Sequence, residues 1–284
     1  MDTIKITQEL VLPLLPQRTP ESHKGNYGKV FAYCGCDKYR GAAALSVLGA
    51  LRTGAGLVTL AAAENVIQSV APLIPEATFL PMPARDFDTE VRGYNTVLAG
   101  CGKEECHATV DMLERIIKHN VMGKLVLDAG GLMSLNAQKS LWPQGRTIIT
   151  PHMGEMARLT GMTVAQLAQQ PADIAAAMAK EWGVVLVLKG HRTLVAIPGG
   201  ATYENTTGNA GLARGGSGDI LAGMIAGLCA QGLSCADAAV CAVWLHGAAA
   251  DACAAAASMG SMLPHDILPY LASIFKLNEQ KRQE

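Results

Sequence analysis

Apolar positions along this chain come in short unbroken runs separated by longer stretches of helical periodicity. Lys29-Val-Phe-Ala-Tyr33 predicts a buried strand that ends at Gly35. A loop, Cys36 to Arg40, precedes a helix over Gly41 to Arg52, which Gly54 and Gly56 stop. Leu57 to Ala61 is the next strand, and the three pieces form a βαβ unit with parallel strands and a right-handed crossover. The alternation continues with a helix over Glu64 to Ala71 and strands over Ala77 to Leu80 and Asn95 to Ala99. A helix over Cys106 to His119 follows, with Val110, Leu113, Ile116 and Ile117 on one face. Strands Lys124 to Asp128, Thr147 to Thr150 and Val184 to Leu188 come next, with one or two helices between Thr163 and Trp182. Thr193 to Ile197 and Ala201 to Glu204 read as a hairpin around Pro198-Gly-Gly200. Helices close the chain at about Asp219 to Gln231, Cys235 to Ala257 and His265 to Leu277.

Short apolar strands alternating with helices predict an α/β fold: a mostly parallel central sheet with helices on both faces. In such sheets ligands bind beyond the carboxyl ends of the strands. Asp128, His152, Lys189 and the glycines near 100 and 215 all fall at those ends. With no linker and no internal repeat, residues 1–284 are expected to form one domain with a core over about 20–277.

Composition narrows the function. Half of the 284 residues are hydrophobic and 17% are charged, which excludes a disordered chain. The formal net charge of −1 argues against a nucleic-acid binder, but not against a small anion held by backbone N–H groups. The eight cysteines form no C-x-x-C pair and are expected to be reduced, in a cytoplasmic protein. Ala238 to Ala257 is the most apolar stretch, but it holds His246 and Asp251, so it reads as a packed helix rather than a membrane span. No signal peptide opens the chain.

The chemistry points to Arg214-Gly-Gly-Ser-Gly-Asp219, which runs directly into an apolar helix. Glycines before a helix start expose N–H groups, and the helix end adds partial positive charge. Gly215, Gly216, Ser217 and Gly218 thus form a candidate anion hole for a phosphoryl group. Asp219, in the first turn, is expected to stay ionised in the helix field and to act as a base. Taken alone, a glycine-rich turn with an aspartate cap is the simpler reading, and the segment lacks the G-K-[ST] of a P-loop. Glu155 and Asp128 either position a metal or water or cap helices.

Asn209 to Gly223 closely resembles the glycine-rich signature of the ADP/ATP-dependent NAD(P)H-hydrate dehydratases of the ribokinase-like superfamily. Further matches follow in order: His23-Lys-Gly-Asn-Tyr-Gly28, Tyr39-Arg-Gly-Ala-Ala43 with Leu51 to Val58, Thr150-Pro-His-Met-Gly-Glu155, Leu188-Lys-Gly-His-Arg-Thr193 and Leu245-His-Gly-Ala-Ala-Ala-Asp251. The resemblance spans about residues 20–270.

It implies a ribokinase-like fold and a repair reaction. The hydrated nicotinamide ring of NADH or NADPH loses water at the expense of ADP or ATP, with Mg²⁺ expected. Asp219 would deprotonate the ring hydroxyl and contact substrate, together with Ala42 or Ala43, Gly102 and His152. Lys189, Gly190, His191, Arg192, Thr193 and Gly218 would bind the nucleotide. The resemblance also implies a homotetramer, and an epimerase partner on a separate chain because this one begins near the dehydratase motifs. No metal ligand is assigned. ADP and ATP remain open as co-substrate, as do the two hydrated dinucleotides.

Three places depart from the pattern: Gly35-Cys36-Asp37 for G-G-S, Gly100-Cys101-Gly102-Lys103 for G-P-G-L, and Asp128-Ala-Gly-Gly-Leu132 for D-A-D/G-A-L. The rival enzyme is a hydroxymethylpyrimidine, thiazole or pyridoxal kinase of the same superfamily, and the rival non-enzyme is a nucleotide sensor.

Overall fold

The computed structural model describes residues 2–281. Ten strands form one sheet: β1 Ile4–Ile6, β2 Lys29–Tyr33, β3 Leu57–Ala62, β4 Thr78–Pro81, β5 Thr96–Ala99, β6 Lys124–Leu127, β7 Thr147–Ile149, β8 Val185–Leu188, β9 Leu194–Ala196 and β10 Thr202–Asn205. Their order is β1-β10-β9-β8-β7-β6-β5-β2-β3-β4. Pairing is parallel from β4 to β8 and again between β1 and β10, and antiparallel on both sides of β9. The central strands are mostly apolar because helices cover both faces. Val30 and Ala32 of β2 face one core, while Phe31 and Tyr33 face the other.

The chain reverses its direction of travel across the sheet at the β2–β5 junction. β3 and β4 lie on one side of it and β6 to β8 on the other. A crevice forms where strand order reverses. Here the Gly35 N–H donates to the Cys101 carbonyl at 2.8 Å and ties the two strand-end loops together.

Helix Ser217–Ala230 packs parallel to helix Arg40–Arg52 at backbone distance. A Cβ at Gly223 would lie 2.1 Å from the Ser46 carbonyl oxygen, and one at Gly49 would lie 2.4 Å from that of Ile220. Leu45 reaches Gly216, Ser46 meets Gly223 and Thr53 meets Gly227, so both helix N-termini lie at the same end. Helix Cys235–Ala256 is the one described helix long and apolar enough to cross a membrane, and 72% of its apolar window is buried within the protein.

Predicted and observed elements agree to within a few residues along most of the sheet. The region Thr163 to Trp182 resolves into two helices, Val164–Gln169 and Pro171–Trp182, the second starting on a proline at its first turn. Strand β1 and helices Ala129–Ser134 and Met153–Thr160 are additions that the sequence reading lacks. The last begins with a capping box between His152 and Glu155 and ends at Gly161, φ +73°, a legible start and stop.

Gly223→Ala should lower unfolding free energy by about 3 kcal/mol, because the methyl meets backbone that cannot swing aside. Gly41→Ala, where nothing lies within 4 Å, should gain about 0.5 kcal/mol. Urea denaturation of both variants checks the contrast.

Candidate active site

Three strand ends meet on one carboxylate. Asp128, which follows β6, is 2% exposed. Its Oδ1 accepts hydrogen bonds from Thr150 Oγ1, after β7, and from Lys189 Nζ, after β8, each at 2.6 Å. The Cys101 thiol, after β5, lies 3.7 Å from Oδ2. Burial disfavours the Lys189 ammonium, but the charges of Asp128 and Glu155 and the hydrogen bond to Asp128 outweigh it, so Lys189 stays above its usual range.

Above this pair sits the start of helix Ser217–Ala230. Gly216 takes φ +102° as its N-cap, a conformation that suits glycine, and no side chain caps the first turn. A Cβ on Gly218 would lie 3.3 Å from Lys189 Nζ. The ammonium therefore lies beside the first turn, and Gly215 opens to solvent next to it. Ser217 Oγ and His246 Nε2 are buried without a partner among the described residues. Burial pushes the His246 imidazole down to about 4, so it stays neutral beneath the helix start.

Asp219 is the third residue of that helix. Burial, then the neighbouring Asp128 charge, pushes its carboxyl up to about 7, with Lys189 and Cys101 pulling the other way. The expectation that the helix field keeps Asp219 ionised is thereby corrected. A helix end is worth about 0.3–1 kcal/mol where exposed, less than the desolvation of a half-buried carboxylate beside a second one. The result is a carboxyl poised to exchange its proton near neutrality.

The other expected site residues divide. His152 caps helix Met153–Thr160: its Nδ1 accepts from the N–H of Gly154 at 3.0 Å and of Glu155 at 3.2 Å, and its own N–H donates to Glu155 Oε2 at 2.8 Å. That bonding assigns the proton to Nε2, on a side chain 59% exposed. Glu155 is thus a cap. Lys189 turns inward, whereas Gly190 to Thr193 form a surface turn closed by Thr193 Oγ1 to the Gly190 carbonyl at 3.1 Å. His191 and Arg192 are exposed there. Ala42 is half-buried and faces Gly102, where a Cβ would come within 2.7 Å of its methyl. Ala43 is wholly buried and packs under Gly35, so its side chain offers no surface to a ligand.

A cleft of roughly 580 Å³ adjoins the acids, with Tyr39, Lys103, Gly130, Met133, His152 and Arg158 among its walls. Asp219 is not one of its walls. Cleft and acids meet at Ala129, which follows Asp128, and at His152, which bridges to Lys189 along the β7–β8 line. Two features escaped the sequence reading. The Lys189–Asp128 pair depends on strand order, which no local pattern states. Asp251, read as part of a packed helix, is exposed and accepts from Gly208 N–H at 2.8 Å and Asn209 Nδ2 at 3.0 Å, anchoring the loop before the glycines. All eight cysteines are free thiols.

Ligand atoms of Cys101, Asp128 and Asp219 lie within 4.8 Å of one another. A hard cation such as Mg²⁺ takes carboxylate and phosphate oxygens rather than a thiol, so the acids fit it and Cys101 does not.

A mostly parallel sheet with a glycine-rich helix start, an acid and an ammonium gathered over its carboxyl ends has the architecture of the ribokinase-like proteins. Within that class the chain belongs to the NAD(P)H-hydrate dehydratase family, whose model matches residues 30–273. It is 36% identical over 273 residues to the ADP-dependent (S)-NAD(P)H-hydrate dehydratase of Bacillus subtilis, covering 95% of this chain and 97% of that one. The crystal structure of the Bacillus subtilis ADP/ATP-dependent NAD(P)H-hydrate dehydratase, co-crystallized with ATP and Mg²⁺, matches with a TM-score of 0.85 at 35% identity, over 98% of this chain and 99% of that one. The bifunctional NAD(P)H-hydrate repair enzyme of Moorella thermoacetica is 39% identical over 280 residues, 94% of this chain and 53% of that protein. The chain thus spans about half the length of that relative.

A carboxyl near 7, against its ordinary 3.8, holds its proton more tightly in the folded chain than in the unfolded one. Asp219 therefore favours folding while protonated and turns against it as pH climbs from about 4 to about 7, costing about 4 kcal/mol by pH 8. Asp219→Asn should be more stable than wild type at pH 8, with the gap closing toward pH 4. Denaturation at the two pH values checks this, and equal gaps would contradict the burial of the acid.

Proposed function

We propose that the chain catalyses nucleotide-dependent dehydration of (S)-NAD(P)H hydrate, with Asp219 as the base. The observation that carries this reading is the placement of Asp219, its carboxyl raised to about 7, at a glycine-rich helix start beside the Lys189 ammonium. Hydroxide is a poor leaving group. Asp219 takes the proton of the ring hydroxyl, and that oxygen attacks the terminal phosphoryl of ADP, so that AMP departs. The N–H groups of the Gly215–Gly218 segment and Lys189 hold the charge that builds on the phosphoryl oxygens. The ring-nitrogen lone pair then expels phosphate, breaking the carbon–oxygen bond, and loss of a proton from the adjacent ring carbon restores the dihydronicotinamide.

His152 presents Nε2–H to the dinucleotide, while Ala42 and Gly102 let its ring approach backbone. The Gly190–Thr193 turn, with His191 and Arg192, takes the nucleoside part of ADP or ATP. Asp128 would help hold Mg²⁺, which supplies charge neutralisation on the nucleotide phosphates. We further propose that residues 1–284 form one domain of a cytoplasmic homotetramer that works in partnership with an epimerase. The bifunctional repair named for the Moorella thermoacetica protein supports that partnership.

The test is incubation with hydrated NADH and ADP or ATP, following the return of NADH absorbance. Wild type should restore it with release of phosphate. Asp219→Asn should retain nucleotide but lose at least a hundredfold in kcat. With wild type, kcat/KM should rise with pH up to about 7 and level off above it, because the base works deprotonated. Absence of recovery with either nucleotide, together with phosphorylation of hydroxymethylpyrimidine, thiazole or pyridoxal, would establish the kinase instead.

A further inference from the structure

The cleft beside the acids holds an ammonium that the mechanism leaves unused. Three cations line it: Lys38, Lys103 and Arg158. Arg158 is tied to Glu105 through two N–H···O contacts, 2.8 and 2.5 Å long. Lys38 is exposed. Lys103 is half-buried, with its Nζ 3.8 Å from the centre of the Tyr33 ring, and no carboxylate pairs with it among the described residues. The acids nearest to hand are engaged elsewhere. Glu105 holds Arg158, Glu155 accepts from the His152 N–H, and Glu104 Oε1 lies 3.9 Å from the Cys36 thiol.

The lysine is also held in place. Its N–H donates to the Gly100 carbonyl at 2.9 Å, and its own carbonyl lies where a Cβ on Gly130 would come within 1.9 Å. Helix Ala129–Ser134 therefore abuts the Lys103 backbone with no room between them. Tyr33 is 8% exposed and anchored in the core, so the ring beneath the ammonium is fixed as well. An aromatic face attracts a cation but does not neutralise it. Burial draws the Lys103 ammonium below its usual range, the cost of a charge that lacks a counter-ion. A phosphate oxygen entering the cleft would offset that cost, and lysine meets phosphate as a point charge.

We propose that Lys103 is a specificity-determining residue that binds a phosphate group of the hydrated dinucleotide in this cleft. The proposal rests on the dehydratase reading for its substrate, but the cation and the cleft stand without it. The hydrated dinucleotides carry two candidate anions: the diphosphate common to both, and the 2′-phosphate of the NADPH form alone. Lys103 is distant in role from Asp219. It fixes where the dinucleotide lies, not what happens to its ring.

Lys103→Met removes the charge and keeps the length, and Lys103→Arg keeps the charge. Calorimetric titration with intact NADPH and NADH should show Kd raised about tenfold in Lys103→Met and largely rescued in Lys103→Arg. Turnover should show KM for hydrated dinucleotide raised by the same factor, with kcat and the KM for ADP changed less than twofold. A loss confined to NADPH assigns the 2′-phosphate, and a loss shared by both dinucleotides assigns the diphosphate. Unchanged Kd for both in Lys103→Met overturns the proposal whatever the turnover assay gives. Tenfold weaker binding without turnover in wild type upholds it and removes the dehydratase reading instead.

Discussion

Helix Ser217–Ala230 lies against helix Arg40–Arg52 so closely that backbone touches backbone, and the site depends on that contact. Gly49 and Gly223 sit at the crossing, each where a Cβ would strike a carbonyl of the other helix. The helices run parallel, so their starts share one end of the molecule. One start carries Gly215 to Asp219, and the other carries Ala42, opposite Gly102. A larger residue at the crossing would lift the first helix off the sheet, and with it the glycine-rich start that lies beside Lys189. Small residues in both helices act here as a distance setting for the chemistry rather than as filler.

Electrostatics work against stability at the same place. Two carboxylates, Asp128 and Asp219, sit close together over the strand ends, with the Lys189 ammonium bonded to Asp128. Lys189 bonds directly to Asp128 and only moderates Asp219. The two acids therefore separate in character. Asp128 is locked by Thr150 and Lys189 as part of the framework, and Asp219 is left to gain and lose a proton near neutrality. That division matches the demands of phosphoryl transfer, which needs fixed charge to hold phosphate and a movable proton at the nucleophile. The neutral His246 beneath the helix start adds no competing charge.

The cleft and the acids are neighbouring but distinct parts of the site. His152 belongs to both, because its backbone bridges to Lys189 while its ring faces the cleft. Its bonding to Gly154 and Glu155 settles which nitrogen carries the proton. The histidine thus caps its helix and lines the cleft at once, two placements that sequence reading sets against each other.

Much of this was legible in the chain. The apolar runs from Lys29 to Leu188 mark the strands, because a strand covered on both faces has no polar position to interrupt it. Gly215 to Asp219 marks the helix start, because positive φ and a free first turn call for glycine. The ordered motifs from His23 to Asp251 specify the family. Strand β1 escaped because three residues carry no period, and helix Met153–Thr160 escaped although its cap and its terminal glycine were both written there. What the chain alone determined was which residue types stand at which strand ends. Tertiary structure alone decided their partners: that Lys189 meets Asp128, that Asp219 loses its preference for charge, and that Lys103 is left without a counter-ion. Pairings of that kind depend on strand order and burial, and both are properties of the assembled sheet.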